Sequence, residues 1–84
     1  MFPSNIELLK HILEETSFVL DSATGKTKDD VINDTILSRA WIRSLEIVGE
    51  DSNNADPDFK SLYPHIEWRK MSGTRNQLIH DYFE

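Results

Sequence analysis

Large apolar residues recur along this chain at spacings of three and four, in three long stretches, and nowhere alternate one by one. Ile6, Leu9, Ile12, Leu13 and Val19 form the first set. Val31, Ile32, Ile36, Leu37, Ala40, Trp41, Leu45 and Val48 form the second, and Trp68, Met71, Leu78, Ile79 and Tyr82 the third. That period puts each set on one face of an α-helix and argues against strands. The punctuation agrees. Ser4 with Glu7, and Thr27 with Asp30, have the three-residue spacing of a capping box. Gly25 suits the left-handed residue that ends a first helix near DSATG. A second helix is expected from Thr27 to a stop at Gly49, followed by EDSNNAD as a polar loop without order. Asp56-Pro57 opens a short helix in DFKSLY, and Pro64 starts a last helix that runs to the C-terminus. The expected class is all-α: an antiparallel bundle of three main helices forming one domain over residues 1–84.

A chain of 84 residues buries only about 60–65% of the surface that its unfolded form exposes, so a partner subunit is a natural supplement. So many apolar residues on three helices suggest a bundle short of one wall. Cysteine is absent, which rules out disulfides and thiolate metal sites and fits a reducing, cytoplasmic setting. No run approaches the roughly 18 apolar residues of a membrane span, and MFPSNIELLK has no signal-peptide pattern. The net charge of −6 argues against a general nucleic-acid coat and against DNA as a partner. The acid is uneven, however. Residues 1–56 hold eleven acidic side chains against five Lys and Arg, whereas residues 57–84 hold four of each, with His65 and His80 besides. An anion is best met by the C-terminal third.

There the sequence poses its problem. Plotted at helical pitch, Trp68, Met71, Leu78, Ile79 and Tyr82 all fall within about 60° of Arg75. A permanent cation therefore sits in the centre of the expected apolar stripe. It can be structural, paired to a second-helix carboxylate such as Asp34 or Glu46. Alternatively the stripe borders a cleft, and the guanidinium awaits an anion. Asn76 and His80, four apart, stack on its flank, and Gly73 permits close approach of another chain or ligand. His65 reads as an ordinary solvated histidine. Arg plus His, without a carboxylate cluster for magnesium or a glycine-rich phosphate loop, is a poor kit for most reactions. It suffices for metal-independent RNA cleavage, in which His moves protons and Arg steadies the charged phosphorane. One histidine does half of that work; a two-fold dimer would supply two.

The string WRKMSGTRNQLIHDYFE closely resembles the signature of HepT-like toxins, a branch of the all-helical HEPN ribonucleases. That motif is Arg, four variable residues, His, one variable residue, Tyr, and it stands here as Arg75, His80 and Tyr82. SLEIVGE at 44–50 and YPHIEW at 63–68 resemble flanking segments of the same family, so the similarity covers nearly the whole chain. The resemblance implies a four-helix up-and-down bundle that dimerises, with Arg75 and His80 catalytic at a composite interface site and Asn76 supporting them. It implies RNA as substrate and no cofactor or metal for the chain itself. It further implies a cognate minimal nucleotidyltransferase antitoxin that uses ATP and Mg to transfer AMP to Tyr82. Relatives usually continue past the tyrosine into a final helix, and a small residue usually follows Gly-Glu where Asp51 stands here. The rival expectation is a non-catalytic helical subunit that only binds the nucleotidyltransferase; a purely structural domain is a third.

Overall fold

The computed structural model describes residues 4–83. Among the described residues six helices follow one another: α1 (Asn5–Ala23), α2 (Lys28–Asn33), α3 (Thr35–Asn54), α4 (Pro57–Ser61), α5 (Trp68–Ser72) and α6 (Thr74–Phe83). No strand forms among the described residues. The all-α class is as expected, and three rods dominate it: α1, α3 and the α5–α6 pair.

Both capping boxes form. The Ser4 and Thr27 hydroxyls accept from the backbone N–H of Glu7 and Asp30, whose carboxylates accept in return from the N–H of Ser4 and Thr27. Gly25 has φ +74° just beyond the end of α1, a conformation that costs glycine little and other residues more.

The second expected helix is two. Asp34 interrupts it, and its side chain caps α3 by accepting from Leu37 N–H at 3.0 Å. Gly49 does not end α3 either. The helix continues through EDSNN to Asn54 because that stretch has somewhere to be buried. Ser52 is wholly enclosed, its hydroxyl donating to Val48 O at 2.7 Å, and Ala55 is buried beyond it. The N-terminal half of α1 holds this end: His11 Nδ1 lies 3.5 Å from Asp51 Oδ2, Asn5 Nδ2 donates to Asp56 Oδ2 at 3.1 Å, and Asp56 N–H donates back to Asn5 Oδ1 at 3.0 Å.

Gly49 works instead as a point of contact. A Cβ there would meet the backbone oxygen of Ser72 at 3.0 Å, so its missing side chain lets α5 press on α3. Gly73, expected to permit close approach, faces open space apart from Lys70 O at 3.8 Å. It separates α5 from α6 as a kink with φ −100° and ψ 5°.

The last helix begins at Trp68, not Pro64. The Tyr63 carbonyl accepts from both Ile66 N–H and the Trp68 indole, at 3.1 and 3.3 Å, and Phe59 stacks edgewise on Trp68. These contacts fold Pro64–Glu67 into a turn. Central α3 packs on α1 along one side and on α5 and α6 along the other, with α2 closing one end. Val31, Trp41 and Leu78 make the core there, with Val19, Ala23, Leu37 and Tyr82 around them; the Trp41 indole donates to Ser22 Oγ at 2.7 Å. Ile6, Leu13 and Leu20, seven apart on α1, remain more than half exposed. They form an uncovered apolar stripe along that rod. No described helix is long and apolar enough to cross a membrane.

Candidate functional site

The contact of Gly49 with Ser72 sets how α6 lies on α3, and therefore where each motif side chain goes. Thr74 begins α6 with its hydroxyl on the carbonyls of Met71 and Leu45, at 2.9 and 3.4 Å. Leu78 points most directly at the core. Arg75, about 60° away around the helix, is consequently not at the centre of the buried face but at its rim.

The Arg75 side chain is 43% exposed, with Nε 3.1 Å from Glu46 Oε2 on α3. Nε itself is shut off from solvent, yet its N–H is not aimed along that line and makes no hydrogen bond. The contact is an ion pair without a well-formed hydrogen bond. Glu46 was one of two acids expected to hold this arginine structurally; the other, Asp34, is occupied as the α3 cap. Arg75 Nη1 also reaches Asn76 Oδ1 at 3.4 Å. Beside the guanidinium lies a cleft of about 180 Å³ lined by Glu46, Glu50 and Asn53 of α3 and by Ser72, Arg75 and Asn76. A wider hollow of about 640 Å³ near Gly25 and Ile36 carries Asp30 and Asp34 with Lys26.

His80 projects outward, its side chain 73% exposed, with Nδ1 3.2 Å from Asp81 Oδ1. Gln77 Nε2 donates to both Asp81 oxygens at 3.0 Å. Those bonds, with a smaller contribution from His80, hold the Asp81 carboxyl below its ordinary range. Arg75 and His80 do not converge within one chain. Five residues of helix put them about 140° apart around the axis and about 7.5 Å apart along it. Asn76 lies between, touching Arg75 and sharing a face with His80. Tyr82 is half-buried: its ring meets Trp41 edge-on at 6.3 Å, and Lys28 Nζ sits 5.4 Å from its centroid. Lys28 on α2 and Arg43, which shares Glu46, have no place in the Arg-His-Tyr pattern. Arg43 left one faint signal, its position three residues before an acid on a helix.

Comparison with known proteins supplies the family. The family described as ribonuclease HepT-like matches residues 6–84. An inferred RNase of Caldanaerobacter subterraneus subsp. tengcongensis is 39% identical over 75 residues, covering 89% of this chain and 67% of that protein. An inferred RNase of Methanocaldococcus jannaschii is also 39% identical over 75 residues, covering 89% and 62% respectively. An inferred HepT ribonuclease of Thermococcus cleftensis is 41% identical over 80 residues, covering 95% and 73%. The chain therefore spans about two thirds of the length of these relatives, and no solved structure matches it. With the family matched over almost its whole length and relatives at this identity, the chain belongs to the HepT-like ribonucleases.

Proposed function

We propose that this chain is an RNA-cleaving toxin subunit whose site is completed by a second copy of itself. The observation that carries the proposal is Arg75: a half-exposed guanidinium at the edge of a small cleft, its Nε–H lacking a hydrogen bond, with His80 largely exposed and beside Asp81 farther along the same helix. In the proposed reaction the RNA 2′-hydroxyl attacks the adjacent phosphorus. One His80 removes the hydroxyl proton, and the His80 of a second copy protonates the leaving 5′-oxygen. Arg75, supported by Asn76, stabilises the charge that builds on the phosphorane oxygens. Because Arg75 and His80 of one chain stand on different flanks of α6, a two-fold arrangement is the simple way to give one phosphate two histidines and an arginine. None of these steps needs a metal ion or cofactor.

Tyr82 is the proposed point of control. A cognate nucleotidyltransferase antitoxin, using ATP and Mg, would direct the phenol oxygen to the α-phosphorus of ATP. A phosphodiester forms between the phenol oxygen and the α-phosphorus of AMP, the bond from that phosphorus to the β-phosphate breaks, pyrophosphate leaves, and the phenol proton passes to base. The added negative charge and bulk, on the helix that carries Arg75, would exclude RNA. A binding-only subunit is the second reading. It is favoured by the separation of Arg75 from His80 within one chain and by the uncovered α1 stripe.

The discriminating assay incubates purified chain with a tRNA and mRNA mixture in the presence of a chelator, beside Arg75→Ala and His80→Ala. Cleavage by wild type that is lost in both variants, at unchanged helicity and oligomeric state, is the expected result. No cleavage from a folded dimer would leave the binding-only reading in possession. For control at Tyr82, mass spectrometry after incubation with the partner, ATP and Mg should show added AMP on wild type and none on Tyr82→Phe.

A further inference from the structure

Arg43 and Arg75 come from different helices and meet on one carboxylate. Arg43 Nη1 lies 2.7 Å from Glu46 Oε1, and Arg75 Nε lies 3.1 Å from Glu46 Oε2. Each oxygen of Glu46 serves one guanidinium, and no other carboxylate lies within ion-pair distance of either arginine among the described residues. Two like charges are thus held side by side by a single anion, and Glu46 and Arg75 both line the cleft, with Glu50 beyond them. The arrangement is partly open to water: the Arg43 side chain is 63% exposed, that of Arg75 43% and that of Glu46 35%, although Arg75 Nε itself is enclosed. An ion pair so placed contributes little to stability and exchanges readily. A phosphodiester presents two charged oxygens much as a carboxylate does, and guanidinium groups recognise both through the same forked donors.

We infer that Glu46 is a displaceable stand-in for an RNA phosphate, and that Arg43 is a second phosphate-contacting residue beside Arg75. When RNA arrives, its phosphate oxygens replace Oε1 on Arg43 and Oε2 on Arg75, and the Glu46 side chain swings toward water. Arg43 positions the strand. The inference rests on the reading of Arg75 as a phosphate contact and deepens it by giving the site its second cation and its resting-state occupant.

The test is equilibrium binding of a labelled single-stranded RNA to the full chain, over a series of salt concentrations, in a His80→Ala background so that substrate survives. Arg43→Met should weaken binding about tenfold and reduce the salt slope by about 0.7, the loss of one phosphate contact on a single strand. Arg43→Lys should recover the slope but only part of the affinity, because the charge returns without the fork. Glu46→Gln, which removes the competing anion, should bind more tightly than the parent. Parent-like affinity and slope in Arg43→Met, or weaker binding in Glu46→Gln at unchanged melting temperature, would refute the inference while leaving the ribonuclease reading intact. An absence of RNA binding by the His80→Ala parent would overturn both.

Discussion

Replacing Gly49 by alanine puts the packing of α3 against α5 under direct test. In an ordinary helix the change is favourable, because alanine is better than glycine by about 1 kcal/mol. Here the new Cβ would stand 3.0 Å from the Ser72 carbonyl oxygen, 3.6 Å from its carbon and 3.7 Å from the Met71 oxygen. The neighbours are backbone atoms of a helix and cannot rotate aside as a side-chain tip can. Relief requires α5 to move off α3 by a few tenths of an ångström, which loosens the contacts between the two rods. Overpacking of this kind costs about 1–3 kcal/mol. After the helical gain is subtracted, a net loss of about 1 kcal/mol remains. For a domain of this size that is a fall in melting temperature of about 4–8 °C. Gly73→Ala is the matched control: its Cβ meets only Lys70 O, at 3.8 Å, and its φ is negative, so it should melt at or slightly above the parent. The assay is thermal unfolding by far-UV circular dichroism, with both variants and the parent in one buffer. Gly49→Ala melting at or above the parent would falsify the claim that a missing side chain lets these helices meet. A parallel fall in Gly73→Ala would show that the loss is a generic cost at glycine.

Other expectations are more compact. Thr27→Ala removes one half of the α2 capping box and should cost about 1 kcal/mol, read as a lower urea midpoint with unchanged slope. Trp41→Phe deletes the part-buried indole N–H that donates to Ser22 Oγ at 2.7 Å; the Ser22 hydroxyl keeps its bond to Val19 O, so the expected loss of roughly 1–3 kcal/mol comes from the indole bond and lost volume, and parent-like melting would sink that bond as a contributor. Arg75→Met should shift melting by only a few degrees, since a half-exposed ion pair with Glu46 is worth about 0–1 kcal/mol; a large loss of stability would return the arginine to a structural role. Burial raises the Asp51 carboxyl above its ordinary value, partly offset by His11. Its protonated form is favoured in the folded state, so the contribution to stability is greatest in acid, below the unfolded value, and is lost as pH rises through the folded one. Asp51→Asn should therefore flatten the pH dependence of melting in that range, and an unchanged profile would refute the assignment.

The caps were legible because they are local. Ser4 with Glu7 and Thr27 with Asp30 satisfy backbone groups within one turn, so three-residue spacing carries the information. The Arg75, His80 and Tyr82 pattern was legible for a similar reason: it lies on one helix, and its spacing survives whatever that helix packs against. The end of α3 was not. Asp51, Ser52, Asn53 and Asn54 are polar and follow a glycine, and locally nothing favours a helix there. Its continuation depends on Ser52 and Ala55 being buried and on α1 supplying Asn5 and His11 from forty or more residues away. The start of the last helix was equally hidden, because the turn at Pro64–Glu67 depends on where the Trp68 ring can pack.

By itself, then, the sequence determined the all-helical class, the capped starts of the first helices, and one helix bearing arginine, histidine and tyrosine at set intervals. Tertiary structure decided what those residues face. A helical wheel gives angles around an axis but not the direction of the core, and that direction followed from the approach of Ser72 to Gly49. It turned Leu78 inward and left Arg75 at the rim. Glu46 rather than Asp34 became its partner because Arg75 lies against the Leu45–Gly49 turn of α3, whereas Asp34 stands at the far start of that helix, and Arg43 joined the pair from one turn before Glu46. Spacing along one helix is set by bonds within a few residues; the meeting of two helices is set by whichever side chains, or missing side chains, allow their backbones to touch.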